Sequence, residues 1–101
     1  MKWKRLTDQA ILEELGRRIK KKRIHKRLTQ RDVALLSGLN INTVQSIEHG
    51  NPVKTLSFIQ VMRALKMLDH LEDFLPDTGP SPIAIMKRQQ KEVQRVRKPR
   101  N

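Results

Sequence analysis

One hundred and one residues suffice for one small domain, and 22 Lys and Arg against 10 Asp and Glu leave the chain at +12 at neutral pH. Such a charge either keeps copies apart or is spent on a polyanion, of which nucleic acid is the commonest inside a cell. The lack of cysteine excludes disulfides, thiolate nucleophiles and cysteine zinc sites, and the lack of a long apolar run excludes membrane spanning. With no secretory signal either, the expectation is a cytoplasmic protein.

In chain order, Thr7 or Asp8 caps a first helix, with Ile11, Leu12, Leu15 and Ile19 repeating at three and four residues along one face. It runs to about Arg27. Its C-terminal half falls in a stretch, Arg17 to Arg31, with nine basic residues and no acid. A solvated face is the ordinary reading of such a run, but nine uncompensated cations repel one another unless an anion neutralises them. Thr29 is the N-cap of a second, two-turn helix with Val33, Ala34 and Leu36 facing inward, closed by Ser37-Gly38. Asn40 caps a third, Ile41 to about Glu48, with Val44 and Ile47 buried, and His49-Gly50-Asn51-Pro52 ends it. Thr55 or the residue before it opens a fourth, with Leu56, Ile59, Val61, Met62 and Leu65 apolar. A short fifth carries Leu68, Leu71, Phe74 and Leu75 on one side, within an acidic stretch from Asp69 to Asp77. Pro76, Gly79, Pro80 and Pro82 mark the boundary. The reading is an all-α, five-helix domain over residues 7–76 and a flexible, proline-containing basic tail over 77–101, whose last fifteen residues hold seven cations and one acid.

The informative segment is TQRDVALLSGLNINTVQSIEHG, Thr29 to Gly50. Two short capped helices about a glycine-containing turn follow the helix-turn-helix plan, in which the second helix enters the major groove and the first crosses the backbone. Ala34, Leu39, Val44 and Ile47 supply the small or apolar meeting points, and Asn42, Thr43, Gln45 and Ser46 the polar outer face. Asn40 reads first as a helix cap. The loop residues Asn51, Lys54 and Thr55 are candidate phosphate contacts. His25, His49 and His70 lack ligand spacing, and no nucleophile elbow or glycine-rich phosphate loop is present, so neither a metal, a cofactor nor catalytic residues are expected.

From Leu15 to Leu75 the chain resembles the Cro and phage-repressor type of helix-turn-helix domain, the XRE family: Leu-Thr-Gln, Ala34, Ser-Gly-Leu and Ile-Glu-x-Gly-Asn-Pro fall at the family's spacing. The resemblance implies a lambda-repressor-like fold that binds double-stranded operator DNA. Gln30 then anchors a phosphate, joined by Arg31 and Asn40. Ile41, Asn42 and Ser46 take the base-reading positions, with Thr43 and Gln45 on their flanks. Arg23 and Glu48 take those of a structural ion pair. Ile41 departs from the pattern, being apolar where many relatives hydrogen-bond, and suits a thymine methyl. Small domains of this kind bind DNA as two-fold dimers, so Leu68, Leu71, Phe74 and Leu75 are the expected dimer interface.

The tail, Ser-Pro-Ile-x-x-Met-Lys-x-x-x-Lys-x-x-x-Arg-x-Arg, is similar to that of the HipB-type antitoxins. This implies an autorepressor, nucleoid-associated on DNA, that binds a HipA-like serine/threonine kinase toxin through Ile83, Ile85 and Met86. A stand-alone XRE regulator and an adaptor that no longer reads DNA are the competing readings, and a mobility shift with a pull-down separates the three.

Overall fold

The computed structural model describes residues 1–79 and 86–91. All regular structure among them is helical: a 3-10 turn at Trp3–Arg5, then α1 (Asp8–His25), α2 (Gln30–Ser37), α3 (Ile41–Glu48), α4 (Thr55–Ala64) and α5 (His70–Phe74). Residues 86–91 are helical too. Among the described residues no helix is long and apolar enough to cross a membrane. The chain divides into two units, Met1–His70 and Leu71–Asn101.

In the first unit, helix starts are set by side chains that bond the free amides of the first turn. The Thr7 hydroxyl accepts from the Ala10 N–H at 3.1 Å. Thr29 and Asp32 form a reciprocal capping box: the Asp32 N–H donates to Thr29 Oγ1 at 3.0 Å and the Thr29 N–H to Asp32 Oδ2 at 2.8 Å. Those bonds hold the Asp32 carboxyl below its usual range, the Thr29 backbone N–H contributing most. Asn40 Oδ1 accepts from the Asn42 N–H at 2.7 Å. Lys54, at the start of α4, makes no such bond.

The helix ends share one device. After α1 the Leu28 N–H reaches back to the Arg23 carbonyl and the Arg27 N–H to that of Ile24, a Schellman closure with Arg27 left-handed at φ 60°. For this reason α1 stops at His25, short of the expected Arg27. Lys66, at φ 58°, closes α4 in the same way through Met67 N–H to Met62 O. Gly38, at φ 75°, is the left-handed residue that ends α2.

The core is Ile19, Val33, Ala34, Val44, Ile47, Val61 and Leu65, drawn from α1 to α4 and the turn after α4. Leu36 does not join it: it is 62% exposed, contrary to expectation. Val33 and Ala34 set the inward face of α2, and at 100° per residue that face continues at Ser37, leaving Leu36 on the flank. Ser37, half-buried, satisfies its hydroxyl by donating to the Val33 carbonyl at 2.6 Å. Packing of α1 on α3 is closest at Gly16, where a Cβ would lie 2.3 Å from the Ile47 carbonyl oxygen and 2.6 Å from that of Glu48. Glycine is required there by contact with backbone.

In the second unit, α5 carries only Leu71 and Phe74 of the four expected apolar residues; Leu68 lies in the turn before it and Leu75 just after. Pro76 disfavours helical backbone at the residue preceding it, which ends α5 early. Phe74 and Leu75 are exposed. The helical segment 86–91 was expected as flexible tail; its Met-Lys-Arg-Gln-Gln-Lys sequence consists of good helix formers, and Arg88 pairs with Asp77. Ile83 and Ile85 lie outside the described residues.

Candidate nucleic-acid interface

Behind α3 lies a polar network that fixes its position. Arg23 Nε donates to Glu48 Oε2 at 2.6 Å and its NH2 to Oε1 at 3.1 Å, a two-pronged pair joining the end of α1 to the end of α3. The side chains are 11% and 2% exposed. The third guanidinium nitrogen donates to the Leu28 carbonyl at 2.8 Å. Gln30 Nε2 adds a bond to Glu48 Oε1 at 3.0 Å, and Gln45 Nε2 donates to Gln30 Oε1 at 3.3 Å. One carboxylate thus ties α1, α2 and α3 together, and among the described residues no buried side-chain nitrogen or oxygen lacks a partner. The half-buried Gln30 continues the inward face of α2, four residues before Ala34, and spends its amide inside the protein.

Opposite that network, the outer side of α3 is polar. Asn42 and Ser46 share one line four residues apart, with Thr43 on one flank and Gln45 on the other. Asn42, Thr43 and Ser46 line a shallow groove with Pro52, Lys54 and Ser57, of about 400 Å³. The far wall is the α3–α4 loop and the first turn of α4, whose amides no Lys54 side-chain bond satisfies. Free amides at a helix start, with a lysine beside them, suit an anion.

Of the expected base-reading residues, the fold gathers Asn42, Thr43 and Ser46 in this groove with Lys54. Gln45 turns to Gln30, and Ile41, half-buried, packs against the core. Arg31, Asn40, Asn51 and Thr55 are exposed. Asn40 uses its oxygen as the α3 cap, leaving its NH2 group to donate outward. Ser57 was missed in the sequence; it stands three residues after Lys54, one helical turn into α4, and an offset of three from a loop lysine was the available signal. Among the described residues no cluster of three or more His, Asp or Glu could hold a metal ion.

The basic run divides by helical phase. Arg23 faces inward, whereas Arg17, Arg18, Lys21 and His25 lie toward the opposite side of α1, together with Glu14, and the half-buried Lys22 lies on the flank beside them. Glu14 accepts from Arg17 NH2 and Arg18 Nε, both at 2.8 Å, and these bonds, Arg17's first, hold its carboxyl down to about 2. Arg18 also stacks over Trp3, 4.9 Å from the ring centre.

No protein-family model matches the chain, and no curated protein matches it in sequence.

Proposed function

We propose that this chain is a sequence-specific DNA-binding repressor in which α2, the Gly38 turn and α3 form a helix-turn-helix of the XRE type. The observation that carries the reading is the pairing of a rigidly backed α3 with a polar outer line, Asn42, Thr43 and Ser46, opening onto a groove whose other wall offers Lys54 and the free first turn of α4. Side chains that read base edges need a fixed helix behind them, and phosphate contacts beside them set the register. In this arrangement Asn42 and Ser46 read bases in the major groove, while Lys54, Thr55, Arg31 and the Asn40 amide hold the flanking phosphates. Gln30 positions α3 through Glu48, and its second Nε2 proton is the donor left for the phosphate contact that the resemblance assigns to it. The apolar residues Leu68, Leu71, Phe74 and Leu75 join two copies on a palindromic site.

The biological role proposed is that of a HipB-like antitoxin that represses its own operon and captures a HipA-like kinase toxin. Its support is the tail sequence from Ser81 to Arg97.

Selection from a random duplex library, followed by titration of the selected site, tests the DNA reading. Asn42→Ala is expected to cost about 1–3 kcal/mol on the selected site and little on unrelated duplex. An equal loss on every sequence makes Asn42 a phosphate contact, and a failure to enrich any site overturns the reading. Replacing Ile83, Ile85 and Met86 by Ser is expected to abolish co-purification of a kinase-like protein while leaving the selected site bound. A native-lysate pull-down without a stoichiometric partner leaves the stand-alone repressor.

A further inference from the structure

We propose that the back face of α1 is a second, sequence-independent docking site for a DNA backbone, so that one protein molecule holds two duplex segments. Arg17, Arg18, Lys21, Lys22 and His25 line a shallow groove of about 470 Å³ walled on its other side by Met67. It lies on the side of α1 turned away from Gly16, Ile19 and Arg23, the residues through which α1 meets α3 and the core. An α-helix with its side chains is roughly 10–12 Å across, so a duplex held by α3 is at least that far from these cations. They are not part of its footprint.

The charge on this face is poorly compensated. Glu14 answers Arg17 and Arg18 together, and among the described residues Lys21 and Lys22 have no acidic partner within ion-pair distance. What the face lacks decides between anionic partners. A protein interface is built around a buried apolar or aromatic centre and depletes lysine there, whereas a phosphate backbone is held by Lys and Arg with no such centre. Met67 is the one apolar residue lining this groove. The cations span Arg17 to His25, two turns or about 12 Å of helix; Glu14 engages Arg17 and Arg18, and Trp3 stacks on Arg18, so Lys21 and Lys22 are the charges left for phosphate oxygens. The chemistry fits a run of phosphates on one strand better than an acidic polypeptide.

Two measurements on the full chain test this, with helicity and thermal midpoint checked first for each variant. The first is the salt dependence of binding to a 20-bp duplex of arbitrary sequence. Lys21→Gln with Lys22→Gln is expected to reduce the slope of log K against log salt by about 1.8, two phosphate contacts' worth, and Lys21→Arg with Lys22→Arg to restore it. An unchanged slope overturns the proposal. The second uses a bead-tethered duplex of the selected site to capture a labelled arbitrary duplex. The Gln pair is expected to bind the tethered site within twofold of the parent protein but capture at least tenfold less of the second duplex. Equal loss of both places these lysines in the α3 footprint, and retained capture leaves the face to solvent or an acidic protein; either result sinks the idea. If no site can be selected but the Gln pair still lowers the slope, the sequence-specific reading fails and the back face stands.

Discussion

Lys21 and Arg23 are two residues apart in the same run of nine cations, and the fold puts them to opposite uses. Arg23 is buried and gives all three guanidinium nitrogens to named acceptors, two on Glu48 and one on the Leu28 carbonyl. Lys21 is exposed on the far side of α1 with no acidic partner among the described residues. Composition cannot separate them; helical phase does, since two residues turn a helix by about 200°. A charge run is therefore not a unit of function, and each of its members has to be placed before it is counted toward a polyanion.

The comparison is broken most severely at Glu48. Glu48→Ala removes the carboxylate and leaves Arg23 charged, buried and half-paired, which costs about 3–5 kcal/mol. Urea denaturation should give that loss, while Lys21→Ala stays within about 0.5 kcal/mol. Equal effects would mean that the buried pair adds no more than a surface lysine. A second variant acts on the same contact without touching charge. Gly16→Ala drives a Cβ against the carbonyl oxygens of Ile47 and Glu48, backbone atoms that cannot rotate aside, and should destabilise by about 1–3 kcal/mol as α1 and α3 are pushed apart. On the proposed function α3 moves with its support, and duplex binding should then weaken with stability in both variants.

How far the sequence foretold this varies with the kind of signal. Caps and turns were legible because Thr29, Asn40 and Gly38 act on backbone next to them, so α2 and α3 have the expected bounds. Arg23 with Glu48 was legible only through a resemblance to another family's spacing, because 25 residues separate them and no local rule joins them. Gly16 was not: its requirement comes from carbonyls on a helix 31 residues downstream, and nothing near it in the chain asks for glycine. Leu36 was misjudged because Val33 to Leu36 are four consecutive apolar residues, and such a run in an eight-residue helix does not fix its phase. The Gln30 and Gln45 bridge also escaped notice, since polar side chains in a short amphipathic helix are read as facing solvent.

On the outer face of α1, charge pairing has a pH signature. Glu14 titrates at about 2 when folded against 4.5 for its ordinary value, because Arg17 and then Arg18 donate to its charged form. A depressed folded value favours the native state fully above about pH 4.5, and the contribution disappears as pH falls toward 2. The thermal midpoint of the parent protein should therefore approach that of Glu14→Gln between pH 4.5 and 2, the gap being constant from pH 5 to 7. A gap that stays constant down to pH 2 would show that these exposed bonds do not persist in solution.

The smallest effect sharpens the comparison at a place where charge and backbone disagree. Lys66 closes α4 in the left-handed region, where a side chain costs about 1–2 kcal/mol and glycine nothing. Glycine also loses more freedom on folding, by about 0.4–1 kcal/mol, so the two terms partly cancel. Lys66→Gly should raise stability by about 0.5–1 kcal/mol, read as a higher urea midpoint with an unchanged slope. Asn, which tolerates the same conformation, should fall between the two. Lys66 immediately precedes Met67, the wall of the groove opposite Lys21 and Lys22. If Lys66→Gly stabilises the fold and also lowers the salt slope on arbitrary duplex, Lys66 belongs with the uncompensated cations of α1; if the slope is untouched, the lysine serves only the helix terminus, whose exposed carbonyls favour positive charge.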